Sequence, residues 1–168
     1  ILGLILGQLY IKNIIKIQKY KNYITNIHIE SFLLWAMLGI IIGGRLGYII
    51  FYNFSFYINS PIKILYVWQG GMSFHGGLIG ITLSMLLFSL KNNLKFLNLT
   101  DLICAAAPIG IFLGRISNFL NGELWGKESN LPWAIVFKCA GSTSRHPSQL
   151  YEAFLEGIIL FLILRYFV

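Results

Sequence analysis

Apolar stretches constrain this chain more than any other feature, because each is close to the length of about 20 residues that an α-helix needs to cross a bilayer. Full-length stretches cover residues 31–51, 74–90, 99–119 and 148–167, and residues 1–10 form a partial one. Since 57% of the residues are hydrophobic and 11% are charged, the composition also differs from that of a soluble domain. The sequence predicts an all-α fold, a polytopic transmembrane helical bundle in a single domain (residues 1–168), with interfacial and outer-side loops.

Lysine clusters between the apolar stretches set the topology. The first cluster contains Lys12, Lys16, Lys19 and Lys21. Short connections rich in Lys and Arg mark the cytoplasmic side of a membrane protein, and a basic amphipathic helix lying on anionic lipid would also be cytoplasmic. Lys91 and Lys95 fall on the same side. Although the net charge is +7, the cations form short clusters rather than one basic face, so the pattern does not indicate a nucleic-acid partner. We expect the first span to begin before Ile1.

The 31–51 stretch has one small face and one cationic, phenolic face. Glycines recur at intervals of four, at Gly39, Gly43 and Gly47, which is the pattern that lets two helices approach closely. A neighbouring stripe carries Arg45, Tyr48 and Tyr52 at helical spacing. The sequence supports two roles for Arg45 equally. It would either contact an interfacial phosphate or act as a structural arginine that binds backbone carbonyls.

A glycine-rich segment from Gly70 to Gly77 surrounds the histidine His75. Residues 53–69, just before it, are expected to form an outer interfacial segment. Glycine permits unusual backbone angles and close approach of the backbone to a ligand, and non-helical backbone at membrane depth is tolerated where protein or a cavity satisfies it. We therefore predict that His75 lies in a cleft and exchanges a proton there. The alternative is a hydrogen-bonded structural histidine.

The stretch from Gly114 to Gly126 concentrates polar residues at the end of an apolar helix. It contains Arg115, Asn118, Asn121 and Glu123. Ionisable groups at membrane depth are costly and indicate a functional site, whereas an arginine that only extends to the interface would be the simpler alternative. Alternating topology brings this helix end to the outer side, where we expect it to meet His75 and the 31–51 stretch.

Two carboxylates, Glu152 and Glu156, lie near the start of the last apolar stretch, after the segment Arg145–Glu152. Pro147 suits a first helical turn. For Glu152 we expect a role in complementing the helix dipole and pairing with arginine, and for Glu156 an ion pair with a buried cation.

Four segments together resemble the bacterial prolipoprotein diacylglyceryl transferase family. They occur in the family's order and cover most of the chain between Ile29 and Glu156: Gly43-Gly44-Arg45-Leu46-Gly47-Tyr48, Gly70 to Gly77, Gly114 to Gly126, and Arg145 to Glu152. The pattern Gly-Arg-x-x-Asn-Phe-x-Asn-x-Glu-x-x-Gly is the most specific of them.

The resemblance implies an enzyme that transfers the diacylglyceryl group of phosphatidylglycerol to the thiol of the lipobox cysteine in a preprolipoprotein, with glycerol phosphate as leaving group. This is the first step of bacterial lipoprotein maturation. The family acts without a metal or organic cofactor. It is a multi-pass protein of the bacterial inner membrane, with its active site toward the periplasm, so the implied partners are phosphatidylglycerol, the lipobox peptide and the bilayer.

The resemblance also suggests roles for individual residues. His75 is the candidate base for the thiol, and Arg115 the candidate ligand of the phosphate, because a guanidinium pairs bidentately with phosphate. Arg45 would support it. The side chains of Asn118, Asn121 and Glu123 would orient the glycerol hydroxyls or fix Arg115, with Glu123 in the catalytic set. The further phosphatidylglycerol-binding candidates are Tyr48, Tyr52 and Gly76.

Some elements of the family pattern are absent from this sequence. A His-x-Tyr element is expected before Ile1 and a Tyr-x-x-x-Arg element after Val168, so we expect the chain alone to lack part of the catalytic set. The outer connection from Gly126 to Arg145 is short for docking of a lipoprotein.

Three other classes of membrane protein share some of these features. A transporter would carry intramembrane arginines and broken helices, but the internal repeats expected of it are not found. A metal-dependent alcohol phosphotransferase would need clustered aspartates, and Asp101 is the only aspartate in the chain. A purely structural membrane subunit stays open.

Overall fold

The computed structural model describes residues 2–16 and 24–167, and its regular structure is almost entirely helical, as predicted. The α-helices are, in chain order, α1 (Leu2–Ile15), α2 (Asn26–Tyr52), α3 (Phe54–Asn59), α4 (Phe74–Lys91), α5 (Phe96–Asn121), α6 (Ser148–Glu152) and α7 (Leu160–Phe167). Two short strands, β1 (Ile135–Val136) and β2 (Ser144–Arg145), pair antiparallel. The all-α prediction is confirmed for this part of the chain.

Three helices are long and apolar enough to cross a membrane, namely α2, α4 and α5. They overlap the predicted spans 31–51, 74–90 and 99–119, although α2 begins five residues and α5 three residues earlier than those predictions. The predicted span 148–167 is helical throughout, but a π-helix (Ala153–Ile159) separates α6 from α7. These features define a multi-pass membrane protein.

The first helix is longer than the sequence suggested. We expected a partial span over residues 1–10 followed by a lysine-rich connection, but α1 continues to Ile15 and carries Lys12 in its last turn. The helix continues past residue 10 because Ile11, Ile14 and Ile15 are buried, while Lys12 is half-buried between them. Lys19 and Lys21 lie outside the described residues.

The chain divides into two compact units, residues 18–100 and residues 1–17 with 101–168. Each is described on its own, and the predicted single domain stays a prediction.

In the unit of residues 18–100, α2 and α4 pack through glycines. A Cβ on Gly47 would lie 2.7 Å from the Cα of Gly76, and a Cβ on Gly43 would lie 2.7 Å from the Cα of Gly80. A side chain at either position would therefore force the helices apart. The close approach that the glycine spacing predicted is confirmed, and it fixes the position of the start of α4, which carries His75.

In the other unit, α5 packs against α1 and against the π-helix. A Cβ on Gly3 would lie 3.2 Å from the Cα of Gly110, so small residues again allow close contact. A Cβ on Gly157 would lie 2.7 Å from the Cβ of Phe112. This contact places the π-helix beside α5 one turn before Arg115.

Candidate active site

The C-terminal end of α5 is closed by a backbone motif that brings two of the predicted site residues together. The amide of Gly122 donates to the carbonyl of Phe119 at 3.1 Å, and the amide of Glu123 donates to the carbonyl of Asn118 at 3.0 Å. This is the Schellman arrangement, which requires a left-handed residue just after the helix, and Gly122 has a φ of 66°. The helix cap therefore sets the spacing between Asn118 and Glu123.

Arg115 forms ion pairs with two carboxylates from the following helical segments. Its Nε lies 2.8 Å from Oε2 of Glu152, and its Nη2 lies 3.6 Å from Oε2 of Glu156. The Arg115 side chain is 30% exposed, and those of the two glutamates are 36% and 49% exposed. Within residues 2–16 and 24–167, the Nη1 group of Arg115 has no hydrogen-bond partner. The guanidinium is thus held on one edge and open on another.

The two glutamates behave largely as the sequence suggested. Both pair with an arginine, which confirms the expected ion pairs. The cation that Glu156 meets is half-buried rather than fully buried. Glu156 also lies inside the π-helix, a conformation that often occurs at functional sites and that nothing in the sequence indicated.

The carboxylate of Glu123 has a different partner. It accepts a hydrogen bond at 3.0 Å from Nδ2 of Asn121, and both side chains are exposed. The sequence left two roles open for Glu123, and one of them was to fix Arg115. In the structure Glu152 and Glu156 hold the Arg115 side chain, and Glu123 does not contact it. The side chain of Asn118 is half-buried and makes no hydrogen bond to a described residue, so its amide is available.

Gln149 is a residue that the sequence analysis did not single out. Its side chain is 0% exposed, and its Nε2 donates to the carbonyl of Glu123 at 2.5 Å. In the sequence, Gln149 is marked only as an amide side chain at the start of the last apolar stretch. That signal does not say which carbonyl the amide would reach.

Arg45, in the unit of residues 18–100, uses every donor it has on backbone carbonyls. An arginine has five N–H groups. The guanidinium of Arg45 makes five hydrogen bonds, to the carbonyls of Lys63, Ile64, Tyr66, Gly70 and Gly71, at distances between 2.5 and 3.2 Å. The residue is 4% exposed and lies 5.2 Å from the ring centre of Tyr57.

This geometry supports one of the two roles that the sequence left equal for Arg45. The side chain is a structural arginine that folds the segment between α3 and α4 around itself, and no N–H group is left over for a phosphate. A direct contact between Arg45 and the headgroup stays a prediction without support from these contacts.

His75 occupies the first turn of α4, directly after the N-cap residue Ser73 and Phe74. The hydroxyl of Ser73 accepts a hydrogen bond from the amide of Gly76 at 3.3 Å, as N-cap residues do. The imidazole of His75 is exposed and contacts the ring of Phe74 edge to face, with 5.7 Å between ring centres. It makes no hydrogen bond to a described residue. Within its own unit, therefore, His75 is not enclosed in a cleft as expected. It also does not form the hydrogen bonds of the structural alternative.

The tyrosines of α2 form a small aromatic surface. The rings of Tyr48 and Tyr52 stack with 5.6 Å between centres, and Nδ2 of Asn53 donates to the hydroxyl of Tyr48 at 3.3 Å. Gly71, with a φ of 80°, lies against the Tyr48 ring, where a Cβ would come within 2.6 Å of it. Gly76 is buried in the contact between α2 and α4, so its glycine character is explained by helix packing.

The apolar helices define the class of this protein as a multi-pass membrane protein. Its charged cluster, around Arg115 near the end of α5, is partly exposed. A family model described as prolipoprotein diacylglyceryl transferase matches residues 1–168. The chain belongs to the prolipoprotein diacylglyceryl transferase family.

Curated relatives agree with this assignment. The phosphatidylglycerol–prolipoprotein diacylglyceryl transferase of Rhizobium meliloti (strain 1021) is 48% identical over 170 residues, which cover 99% of this chain and 61% of that protein. The enzyme of the same name from Rickettsia canadensis (strain McKiel) is 50% identical, covering 99% of this chain and 63% of the relative. That of Rhodopseudomonas palustris is 50% identical, covering 98% and 59%. The chain thus spans about three fifths of the length of these relatives.

Proposed function

We propose that this chain belongs to a transferase that moves the diacylglyceryl group of phosphatidylglycerol to the thiol of a lipobox cysteine. Membership of the family supports the reaction, and the relatives' names supply the two substrates. The observation that carries the proposal is the state of Arg115, a half-exposed arginine with one edge paired to two carboxylates and the Nη1 group unpaired within the described residues.

In the proposed reaction, the cysteine sulfur forms a thioether bond to the terminal carbon of the diacylglyceryl group. The bond from that carbon to the phosphate oxygen breaks, and glycerol phosphate leaves with the electron pair. The thiol proton passes to a base. Negative charge grows on the leaving phosphate, so a donor already aimed at the phosphate lowers the barrier.

Arg115 is the proposed donor. Its carboxylate partners restrict the rotamers of a long side chain, and so reduce the entropy lost when the phosphate binds. Because Nε and Nη2 face the glutamates, the phosphate would approach from the Nη1 side. A planar guanidinium can pair with carboxylate along one edge and with phosphate along another in fixed directions, whereas the ammonium group of lysine is a point charge without such edges.

The end of α5 offers groups suited to the glycerol hydroxyls of the headgroup. Hydroxyls both donate and accept hydrogen bonds. The unpaired amide of Asn118 could serve either need, and the carboxylate of Glu123, steadied by Asn121, could accept from a hydroxyl. We propose that these three residues recognise the headgroup and that Glu123 also belongs to the catalytic set.

His75 is the proposed base that accepts the thiol proton. Its imidazole is exposed and makes no hydrogen bond to a described residue, so it is available to a substrate. The thiolate is the nucleophilic form of cysteine, and a nearby base raises its fraction. Tyr48 and Tyr52 are proposed to contact phosphatidylglycerol through their stacked rings, and Arg45 to support the site by holding the segment that leads into α4.

The proposed setting is the bacterial inner membrane, with the end of α5 and the start of α4 on the periplasmic side. The partners are the bilayer, phosphatidylglycerol and the lipobox peptide of a preprolipoprotein. In the sequence, the lysines between residues 12 and 21 and the pair Lys91 and Lys95 support a cytoplasmic position for both stretches of chain.

Transfer of labelled diacylglyceryl from phosphatidylglycerol to a lipobox-cysteine peptide tests the proposal directly. The protein would be expressed from its complete reading frame, as wild type, as Arg115→Ala and as the control Arg165→Ala, which removes an exposed arginine from α7. We expect transfer by the wild type and the control and a loss of about 100-fold or more in Arg115→Ala. Absence of transfer by the folded wild type would contradict the function, and full transfer by Arg115→Ala would contradict the role of the arginine.

A further inference from the structure

The residues that follow α5 form a turn whose carbonyls are held by one short segment. We call residues 122–126 the Glu123 turn. Nε2 of Gln149 donates to the carbonyl of Glu123 at 2.5 Å, Oγ of Ser148 donates to that of Leu124 at 3.2 Å, and Nη1 of Arg145 donates to that of Gly126 at 3.5 Å. Three side chains within five residues therefore hold three carbonyls of the turn.

Among these contacts, the one from Gln149 stands out by its burial. The hydrogen bond from Ser148 is exposed and the one from Arg145 is long, whereas Gln149 is 0% exposed. The orientation of its amide follows from its partner, since a carbonyl oxygen can only accept. Nε2 must face Glu123, which leaves Oε1 as a buried acceptor without a hydrogen-bond partner among the described residues.

A buried amide with an unpaired acceptor lowers the stability of the folded protein. An apolar side chain of similar size would fill the same space without that cost. What only the glutamine supplies is the hydrogen bond to the Glu123 carbonyl. That carbonyl immediately precedes Leu124, a non-glycine residue in the left-handed region with a φ of 55°, where the backbone has to be held in place.

We propose that Gln149 is a positioning residue that fixes the Glu123 turn, and through it the Glu123 carboxylate, for binding of the phosphatidylglycerol headgroup. This inference rests on the proposed function. Gln149 touches neither substrate nor reacting atoms. The hydrogen bond from Gln149 holds the carbonyl of Glu123, and the helix cap holds its amide on the carbonyl of Asn118. With both backbone groups of Glu123 held, its carboxylate keeps a constant spacing from the Asn118 amide.

The test compares Gln149→Met, which keeps the size but removes the donor, with Asn92→Leu. The control removes a comparable bond elsewhere, because Nδ2 of Asn92 donates to the carbonyl of Phe88 at 2.9 Å. We expect Gln149→Met in the complete protein to lower transfer by about 10- to 100-fold, the range typical of small misplacements in a site, and the control to retain activity. Equal losses in the two variants would overturn the inference.

A double-mutant cycle separates positioning from a general structural role. If Gln149 acts through Glu123, then adding Gln149→Met to Glu123→Gln lowers transfer by less than about threefold, because the carboxylate is already gone. A full additional loss in the double variant would show that the glutamine supports the protein in general and would overturn the inference.

Amide hydrogen exchange tests the same inference without activity. We expect Gln149→Met, and the shorter Gln149→Asn if the first does not fold, to speed exchange at Glu123 and Gly126 while the middle of α5 stays protected. Unchanged exchange at the turn would overturn the positioning role. If the wild type shows no transfer, the proposed function fails, but the exchange result still decides whether Gln149 holds the turn.

Discussion

Two arginines follow a glycine near the C-terminal ends of apolar helices, and the structure gives them opposite surroundings. Arg45 is 4% exposed and donates all five N–H groups to backbone carbonyls. Arg115 is 30% exposed, pairs with two carboxylates and keeps its Nη1 group without a partner in the described part of the chain. The same residue type in a similar sequence setting thus serves as a scaffold in one unit and as a candidate ligand group in the other.

The difference lies in what each guanidinium can still do. A guanidinium with every donor engaged by backbone contributes to the fold and has nothing to offer a substrate. One that is held by side chains on one edge only is oriented but still open, which is the state expected of a group that must bind phosphate. Variants at both positions can break or sharpen this distinction.

Replacement of Arg45 by methionine should have the largest effect, and on stability. The change removes a donor from five carbonyls, of which those of Lys63 and Tyr66 keep a backbone donor and the other three do not. A single unsatisfied buried group costs about 1–3 kcal/mol. We expect the free energy of unfolding to fall by at least about 3 kcal/mol, measured by thermal or denaturant unfolding in detergent. Lys63→Met is the control from the same segment, since it removes a cation whose ammonium group lies 4.7 Å from the ring centre of Phe56. Normal stability of Arg45→Met combined with weaker binding of phosphatidylglycerol would restore the direct headgroup role.

Replacement of His75 by asparagine tests whether the unit that contains Arg45 contributes any chemistry. The imidazole is exposed, so stability should change by less than about 0.5 kcal/mol. Loss of a general base typically lowers the rate by about 100-fold or more, and we expect that loss in the transfer assay together with a changed pH profile. His28→Asn, in the first turn of α2, is the control. If His75→Asn retains its activity and pH profile, the histidine belongs to the scaffold with Arg45.

Replacement of Arg115 by lysine keeps the charge and removes the planar fork. Lysine can pair with one glutamate but cannot hold two carboxylates and a phosphate in fixed directions. We expect transfer to fall by about tenfold or more, with little change in stability because the ion pairs are partly exposed. The assay is the same diacylglyceryl transfer, with Arg165→Lys as control. Turnover like that of the wild type would mean that charge alone suffices, and the contrast with Arg45 would lose its functional meaning.

Much of the fold could be predicted because the information is local. The length of the apolar stretches predicts three of the membrane-spanning helices, and glycines at every fourth residue predict the close packing of α2 on α4. The end of α1 was misjudged because Lys12 was taken as the start of a connection, while the apolar residues after it continue the helix. No local pattern around Glu156 indicated the π-helix, and the close contact of Gly157 with Phe112 in this segment joins residues that are distant in sequence.

The candidate site was predictable as a set of residues but not as a set of contacts. The pattern from Gly114 to Gly126 indicated Arg115 and Glu123 as site residues and left open whether Glu123 fixes Arg115 or orients the glycerol hydroxyls. The structure joins Arg115 to Glu152 and Glu156 and joins Glu123 to Asn121. Gln149 was missed for the same reason. Partners such as these are chosen by packing between segments that the sequence alone does not bring together.

Gly114, which precedes Arg115, gives the smallest expected effect, and Gly43, two residues before Arg45, extends the comparison to the other helix. Apart from its two chain neighbours and the nearby backbone of α5, no heavy atom of the described residues lies within 4 Å of a Cβ placed on Gly114, and glycine inside a helix costs about 0.5–1 kcal/mol relative to alanine. Gly114→Ala should therefore raise the free energy of unfolding by about that amount. The matched control is Gly43→Ala, whose Cβ would meet Gly80 and Gly76 and should cost about 1–3 kcal/mol. If Gly114→Ala is stable but impairs transfer, a substrate approaches the backbone beside Arg115, and the site includes the backbone of α5 at Gly114 as well as side chains.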